Sequence, residues 1–193
     1  MKQTAHDGSS PVQLNIELDG SFLLAMVERY GVIGWNRWIE AMTTSGLMPL
    51  AWGADEAIPP CWYWMDFSDS DFSMRSWDGI NLGLPYLKNV NFNAASLVGA
   101  RIGCSPFASF RGANLSGCDF RDGDITGCDF EDALMTGIKL DRAAYDSDRP
   151  PLGLSDELLR ICKEEPRDEA SGTGLAEIPL AINASLTALW MPR

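Results

Sequence analysis

Residues 110–130 read FRGANLSGCDFRDGDITGCDF. In this stretch a large apolar residue returns at every fifth position, and the same spacing extends in both directions. Because a helix repeats every 3.6 residues and a strand every 2, neither element can place residues five apart on one face. The chain must therefore turn at every fifth residue. After one phase slip of three residues at 104–107, the two blocks comprise Phe67, Phe72, Trp77, Leu82, Leu87, Phe92, Leu97, Ile102 and then Phe110, Leu115, Phe120, Ile125, Phe130, Met135, Leu140, Tyr145.

The positions around each large residue follow the same period. Two residues before it, the second block usually has a small residue, as at Ala113, Cys118 and Cys128. Two residues after it, glycine is frequent, as at Gly112 and Gly117. Glycine tolerates the unusual φ values of tight corners. The pattern thus predicts large residues pointing to a central axis, small residues filling the gaps and polar residues facing water.

The segment from Phe110 to Phe130 resembles the pentapeptide-repeat proteins, whose repeat reads A(D/N)LXX. This resemblance implies a mainly β fold, a right-handed quadrilateral parallel β-helix with four pentapeptides per coil. It covers residues 65–147, which would make about four coils. The first block departs from the pattern because Met65, Arg75, Ile80 and Pro85 occupy positions expected to be small. Regular coiling is therefore expected to begin between Phe67 and Val90.

The flanking sequences predict a cap at each end of the solenoid. Residues 1–64 are expected to form a small α/β unit, with a strand at 12–18, a helix capped by Ser21 and broken near Gly31 and Gly34, and a Trp-rich segment. Residues 65–147 are the β-helix. Residues 148–193 are expected to contain a capping helix starting after Ser155 and an alternating apolar strand at 178–190. Solenoids need such caps because a bare terminal coil exposes apolar side chains and unpaired backbone groups.

Charge and composition exclude several functions. The 193 residues include 27 acidic and 15 basic side chains, for a net charge of −12, and a single histidine, His6. This acidity argues against direct binding to nucleic acid or anionic membranes. No stretch reaches the length of a membrane span, and no targeting segment is evident, so a cytoplasmic location is expected. The five cysteines show no CxxC pair, which favours reduced, buried thiols and predicts neither a metal site nor a cofactor.

Two groups of residues are candidate binding sites. One is an acidic face whose neighbouring carboxylates would contact a partner, although such positions in this repeat are more often a solvated wall. Catalysis there is the weakest interpretation because a convex wall offers no pocket to shift a pKa. The face comprises Asp119, Asp122, Asp124, Asp129, Glu131 and Asp132. The other group is aromatic, either a docking site or, more often, a plug for the first coil, and comprises Trp35, Trp38, Trp62 and Trp64.

These observations predict a non-catalytic protein-interaction module or regulator with an unidentified protein partner. The resemblance adds an alternative, since some pentapeptide-repeat proteins inhibit DNA gyrase or topoisomerase IV by imitating DNA. Duplex DNA has one charge per about 1.7 Å, so a solenoid about 20 Å tall would need roughly twelve negative charges. Residues 65–147 hold twelve acidic and seven basic side chains. The mimic is therefore the second choice, an enzyme with a site between the N-terminal unit and the solenoid is the third, and an end-to-end homodimer is left open.

Overall fold

The computed structural model describes residues 18–44 and 62–165, with the side chains of residues 62–64 excepted. Element α1 is the helix Gly20–Thr44, and α2 is the short helix Asp156–Leu159. The strands are all short and all parallel. They are β1 (Trp62–Asp66), β2 (Asn81–Leu82), β3 (Pro85–Tyr86), β4 (Arg101–Ile102), β5 (Ala144–Asp146) and β6 (Lys163–Glu165), and the pairs are β1–β3, β2–β4 and β5–β6.

The body of the molecule is a parallel β-helix solenoid whose backbone partners lie one coil apart. Isolated parallel bridges join Asp71 to Asn91 and Asp119 to Lys139, in each case twenty residues away. Twenty residues contain four repeats of five, so each coil has four walls.

We number the walls by their inward residues. Wall 1 holds Phe72, Phe92, Phe110 and Phe130; wall 2 holds Trp77, Leu97, Leu115 and Met135; wall 3 holds Leu82, Ile102, Phe120 and Leu140; wall 4 holds Phe67, Leu87, Ser105, Ile125 and Tyr145.

The predicted inward positions form the core. Of the sixteen large residues, all are buried except Met135 and Tyr145, which are half-buried. Phe92, Phe110 and Phe130 stack face to face along wall 1, with ring centroids 5.2 Å apart at both steps. The corner positions have left-handed backbone, with φ of 63° at Gly112 and 68° at Gly117. The period of five is thus confirmed as one residue per wall pointing into a continuous apolar interior.

Regular hydrogen bonding begins at Phe67, the earliest point of the expected range. The Phe67 amide donates to the Tyr86 carbonyl at 2.9 Å, and the Phe72 amide donates to the Asn91 carbonyl at 2.8 Å. Met65 and Ile80, although larger than the small residues expected there, are fully buried. The larger side chains of the first block fill the same slots, so its departure from the repeat does not delay the coil.

The phase slip shortens one coil. Asn91 pairs with Ser109, and Arg101 pairs with Asp119, so this coil contains eighteen residues rather than twenty. Ser105 takes the inward slot on wall 4 and is fully buried. Its hydroxyl lies 3.3 Å from the Asp124 carbonyl oxygen, which accepts a hydrogen bond from it, and its carbonyl accepts from the Cys128 thiol at 2.9 Å. A polar residue is tolerated in the core here because its hydrogen-bonding groups are satisfied.

Helix α1 packs against the first coil. Its first turn is capped by Asp19, whose carboxylate accepts from the Phe22 amide, so the prediction that Ser21 is the cap was wrong by two residues. Ser21 instead donates to Asp19. At Gly31 the backbone leaves helical geometry, with φ 68° and ψ 175°, which confirms the expected break. The second half of α1 packs on the first coil, where Trp35 donates to the Asn81 carbonyl at 2.7 Å.

The C-terminal elements lie at the other end of the solenoid. Ser155 caps α2 by accepting from the Leu158 amide, as expected, although the helix is only four residues long. Leu158 packs against the core, and β6 pairs with β5 on wall 4. The expected strands at 12–18 and 178–190 lie outside the described residues, apart from Leu18. Within the described ranges, no helix is long and apolar enough to cross a membrane.

Candidate interaction surfaces

The six carboxylates of the expected acidic face are distributed over three walls. Asp119 stacks between Arg101 and Lys139 on wall 3, whereas Asp124 pairs with Ala144 on wall 4. Asp129 pairs with Ser109 and Leu152 on wall 1. Residues five apart lie on successive walls, so carboxylates that are close in sequence point in different directions. The acidic residues do not form one continuous face.

Arginines neutralise most of these carboxylates. Arg121 binds Asp119 through two nitrogens, at 2.9 and 2.7 Å. Arg142 binds Asp122 in the same bidentate way, at 2.6 and 2.8 Å. Arg111 bridges Asp129, at 2.9 Å, and Glu131.

Asp124 and Asp132 form no salt bridge within the described part of the chain. Asp124 accepts from the Thr126 amide at 2.9 Å. Asp132 is exposed at a corner, with φ 60°. Of the twelve acidic residues in 65–147, the four bound by these arginines form salt bridges, so the outer surface carries both paired and unpaired negative charges.

The environments of Asp119 and Asp124 shift their pKa values in opposite directions. The hydrogen bonds from Arg121 hold the pKa of Asp119 at about 2, below its ordinary value of 3.8. Burial raises the pKa of Asp124, an effect only partly opposed by its hydrogen bonds with Thr126. Asp119 is therefore stabilised as a carboxylate, whereas burial disfavours the charged form of Asp124.

We expect Asp119→Asn to lower the free energy of unfolding by about 1 kcal/mol at neutral pH, a value discounted because Arg121 is partly exposed. A depressed folded-state pKa contributes stability above pH 4 that is lost as the pH falls toward 2. The difference from wild type should accordingly disappear at low pH in urea titrations. Asp124→Asn is the control, because the pKa of Asp124 is shifted in the opposite direction, and it should not lower the free energy of unfolding at pH 7. Equal losses in both variants would contradict this assignment.

The aromatic residues expected to dock a partner are partly inside the protein. Trp35 is fully buried, so it cannot be a docking residue, and the prediction was wrong for this position. Its ring packs against those of Phe67 and Trp38, with ring centroids 5.9 and 5.2 Å apart. Trp38 is half-buried and packs on Phe22 at 5.4 Å. These contacts fit the alternative of a plug against the first coil. The side chains of Trp62 and Trp64 lie outside the described residues.

The cysteines differ from the expectation in one respect. Cys118 and Cys128 are free and buried in inward slots, and burial raises the pKa of each thiol to about 12. Such thiols are poor nucleophiles and metal ligands. Cys104, however, is disulfide-bonded, so the expectation of five reduced thiols was wrong. Cys162 is also free.

The disulfide gives a count that can be checked. In the denatured, unreduced protein, fewer than five thiols per chain should react with Ellman's reagent, and all five should react after reduction. Peptide mapping without reduction should recover Cys104 in a disulfide-linked peptide. Five reactive thiols before reduction, in protein purified without reductant, would contradict the bond.

Nothing in the described ranges brings together three or more His, Cys, Asp or Glu side chains in a way that could hold a metal ion. The paired carboxylates and arginines lie on convex walls, and the interior is filled by the inward side chains of every wall. Sequence reasoning missed two features of this surface. One is the pairing of Arg111 and Arg142, which joins residues eighteen or twenty apart and could have been found by aligning successive coils. The other is the half-buried carboxylate of Asp124.

The decisive comparison concerns the second block. A family model described as pentapeptide repeats matches residues 107–140, with eight copies. This chain carries pentapeptide repeats. Among solved structures, the repeat protein is similar to a pentapeptide repeat protein from Nostoc Pcc 7120, with 20% sequence identity over 67% of this chain and 94% of that chain and a TM-score of 0.32. The search of curated proteins gave no match.

Proposed function

We propose that this chain is a non-catalytic scaffold that binds a partner protein through the outer walls of its solenoid. The observation that carries the proposal is the packing of the coils. Inward residues from all four walls fill the interior, so chemistry would have to take place on the convex exterior. Catalytic groups generally lie in concave sites that exclude water and shift pKa values. A rigid wall with ordered charged side chains is better suited to recognising another protein surface.

The ordered ion pairs support this function over imitation of DNA. Arg121, Arg142 and Arg111 together engage four of the carboxylates that a DNA mimic would display. Residues 107–147 carry eight acidic and four basic side chains. A mimic gains from a uniform negative potential, whereas alternating signs give specificity for one complementary partner. The four pairs formed by these arginines thus favour a protein partner that also presents both signs.

In this proposal the three units have separate tasks. The right-handed solenoid of residues 65–147, with about four coils, presents the binding walls. Residues 1–64 close its N-terminal end through the packing of α1, and residues 148–193 close the C-terminal end through α2. The contacts of Trp35 with Phe67 and of Leu158 with the core support these assignments.

Affinity capture with the full chain as bait, followed by reconstitution with the purified candidate, tests the proposal. We expect a one-to-one complex with a dissociation constant in the micromolar range or below. Asp132→Lys, at an exposed corner without an ion pair, and Asp122→Lys, which breaks the pair with Arg142, should weaken it at least tenfold if walls 1 to 3 form the contact. Glu157→Lys on α2 is a matched charge reversal outside these walls and should leave binding unchanged.

Two results would contradict the proposal. One is turnover of a small-molecule substrate by the purified chain. The other is inhibition of gyrase supercoiling that is abolished by the same two lysine substitutions, which would establish the mimic instead. A gyrase assay with wild type and both variants distinguishes the two functions directly.

A further inference from the structure

The basic side chains of the solenoid are concentrated on wall 3. The residues beside its inward positions are those at 81–84, 101–103, 119–122 and 139–142. They include four basic and three acidic side chains, namely Arg101, Arg121, Lys139 and Arg142 against Asp119, Asp122 and Asp141. The rest of residues 65–147 holds nine acidic and three basic side chains. Wall 3 of this acidic solenoid therefore carries more positive than negative charge, whereas walls 1, 2 and 4 carry more negative charge.

Two of these arginines are held against the wall by carboxylates. Arg121 binds Asp119 through Nε and Nη2, and Arg142 binds Asp122 through the same two nitrogens. Within the described part of the chain, the Nη1 atom of neither arginine has an acceptor. A guanidinium that is already fixed loses little further freedom when it binds another group. Both arginines thus have a donor available in a preset position.

Arg101 and Lys139 are the unpaired cations of wall 3. Both are exposed, and neither forms a salt bridge with any residue that the structure describes. The side chain of Arg101 lies across Gly83, where an added Cβ would be 2.7 Å from its Nε. The absence of a side chain at Gly83 therefore lets Arg101 extend along the wall.

The two unpaired cations have a defined spacing. Arg101 pairs with Asp119, and Asp119 pairs with Lys139, so the three residues occupy successive coils. Since neighbouring strands lie about 4.8 Å apart, the backbones of Arg101 and Lys139 are about 10 Å apart along the solenoid axis. The carboxylate between them, that of Asp119, is already bound by Arg121. Two available positive charges therefore flank a neutralised pair.

We propose that wall 3 binds an extended acidic segment of a partner protein, whose carboxylates contact Arg101 and Lys139. This proposal rests on the proposed function and specifies which wall is used and which charge the partner presents to it. Arginine donates paired hydrogen bonds to carboxylates and is enriched among the residues that dominate binding at protein interfaces. The spacing of the two cations requires partner carboxylates about 10 Å apart along the solenoid axis.

The charge pattern favours a peptide segment over a nucleic acid. Duplex DNA has one phosphate charge per about 1.7 Å, so its phosphates would also lie against the carboxylates of wall 3. They would in addition meet the net charge of −12. A peptide can present carboxylates at two points and place uncharged residues between them. The occupant is therefore a protein segment of mixed acidic and uncharged residues.

NMR titration of the full chain with a short capped peptide of sequence EPPEPP tests the proposal. In the polyproline II conformation, residues three apart lie on the same side and about 9 Å apart, which matches the two cations. We expect shifts of the wall 3 amides, centred on Arg101 and Lys139, that diminish at high salt. The capped peptide QPPQPP has the same shape without the charges and should cause no shifts.

Three outcomes of the titration would overturn the proposal. One is the absence of shifts at millimolar peptide, and another is shifts of equal size on the other walls. The third is a short DNA duplex that shifts the same amides more strongly than the peptide, which would make nucleic acid the occupant.

Two double variants separate the position of the cations from the net charge. Arg101→Glu with Lys139→Glu reverses the unpaired cations of wall 3. Arg75→Glu with Lys88→Glu makes the same chemical change at exposed positions outside wall 3 and lowers the net charge by the same amount. We expect the first variant to bind EPPEPP at least tenfold more weakly and the second to bind within about twofold of wild type. Equal losses, with both variants folded by circular dichroism, would overturn the proposal.

Failure of this proposal is distinguishable from failure of the proposed function. A captured partner whose affinity is unchanged by Arg101→Glu with Lys139→Glu, but reduced by Asp132→Lys, would overturn the assignment to wall 3 and keep the scaffold function. Turnover of a small-molecule substrate by the purified chain would instead overturn the function, and with it this proposal.

Discussion

Phe110→Ala should lower the free energy of unfolding by about 4 kcal/mol, which is the range for removing a buried phenylalanine. Phe110 is 0% exposed and lies between Phe92 and Phe130, with interplanar angles of 4° and 6°. Phe120 packs edge-on against the same ring at 5.4 Å. The substitution therefore removes contacts with three rings in the middle of the solenoid. Urea denaturation followed by circular dichroism measures the loss.

The size of this effect depends on whether the surroundings can collapse into the cavity. The Phe110 amide donates to the Asp129 carbonyl at 2.7 Å, and the Phe92 amide donates to the Ser109 carbonyl at 2.8 Å. These bonds fix the spacing of the coils above and below, so the cavity should persist. Met74→Ala is the control because Met74 is 81% exposed, and it should change stability by no more than about 0.5 kcal/mol. Similar losses in the two variants would contradict a ring ladder as the main source of stability.

The period of five made the core predictable because burial follows from geometry alone. A chain that turns every five residues must bury one residue per wall. Phe92 and Leu115 can be assigned to such positions from their size and spacing. Ser105 could not be found in this way. It occupies an inward slot in a coil two residues short, and its burial depends on the Asp124 carbonyl and on Cys128, which lie nearly one coil and more than one coil away. When the hydrogen bonds of a buried polar residue go to groups far away in the sequence, the neighbouring residues do not indicate that it is buried.

The candidate sites were less predictable than the core for a related reason. The carboxylates from Asp119 to Asp132 are close in sequence, but a corner every five residues sends them to different walls. Arg111 and Arg142, which pair with three of them, come from neighbouring coils, so sequence proximity did not indicate these pairs, whereas Arg121 lies two residues from its partner Asp119. The burial of Trp35 likewise depends on how α1 folds back after Gly31, which the helical spacing does not determine. The composition indicated which kinds of residue are present, whereas the stacking of the coils determines which side chains are in contact.

Trp35→Ala should release α1 from the first coil, at a cost of about 3 to 5 kcal/mol. The Trp35 ring is fully buried, contacts Phe67 at 5.9 Å and donates to the Asn81 carbonyl at 2.7 Å. Asn36 adds two bonds beside it, to the Gly79 carbonyl and from the Asn81 amide, both at 2.8 Å. Hydrogen exchange should show loss of protection in α1 and around Phe67 and Phe72.

The coils of residues 107–140 should keep their protection in Trp35→Ala because each coil of a solenoid is stabilised mainly by its immediate neighbours. Trp35→Phe separates packing from hydrogen bonding. It retains a ring against Phe67 but leaves the Asn81 carbonyl without its donor, so it should cost about 1 to 2 kcal/mol. If Trp35→Ala left α1 as protected as wild type, Trp35 would not anchor the helix. If it unfolded residues 107–140 together with α1, the solenoid would be a single cooperative unit that depends on its N-terminal plug.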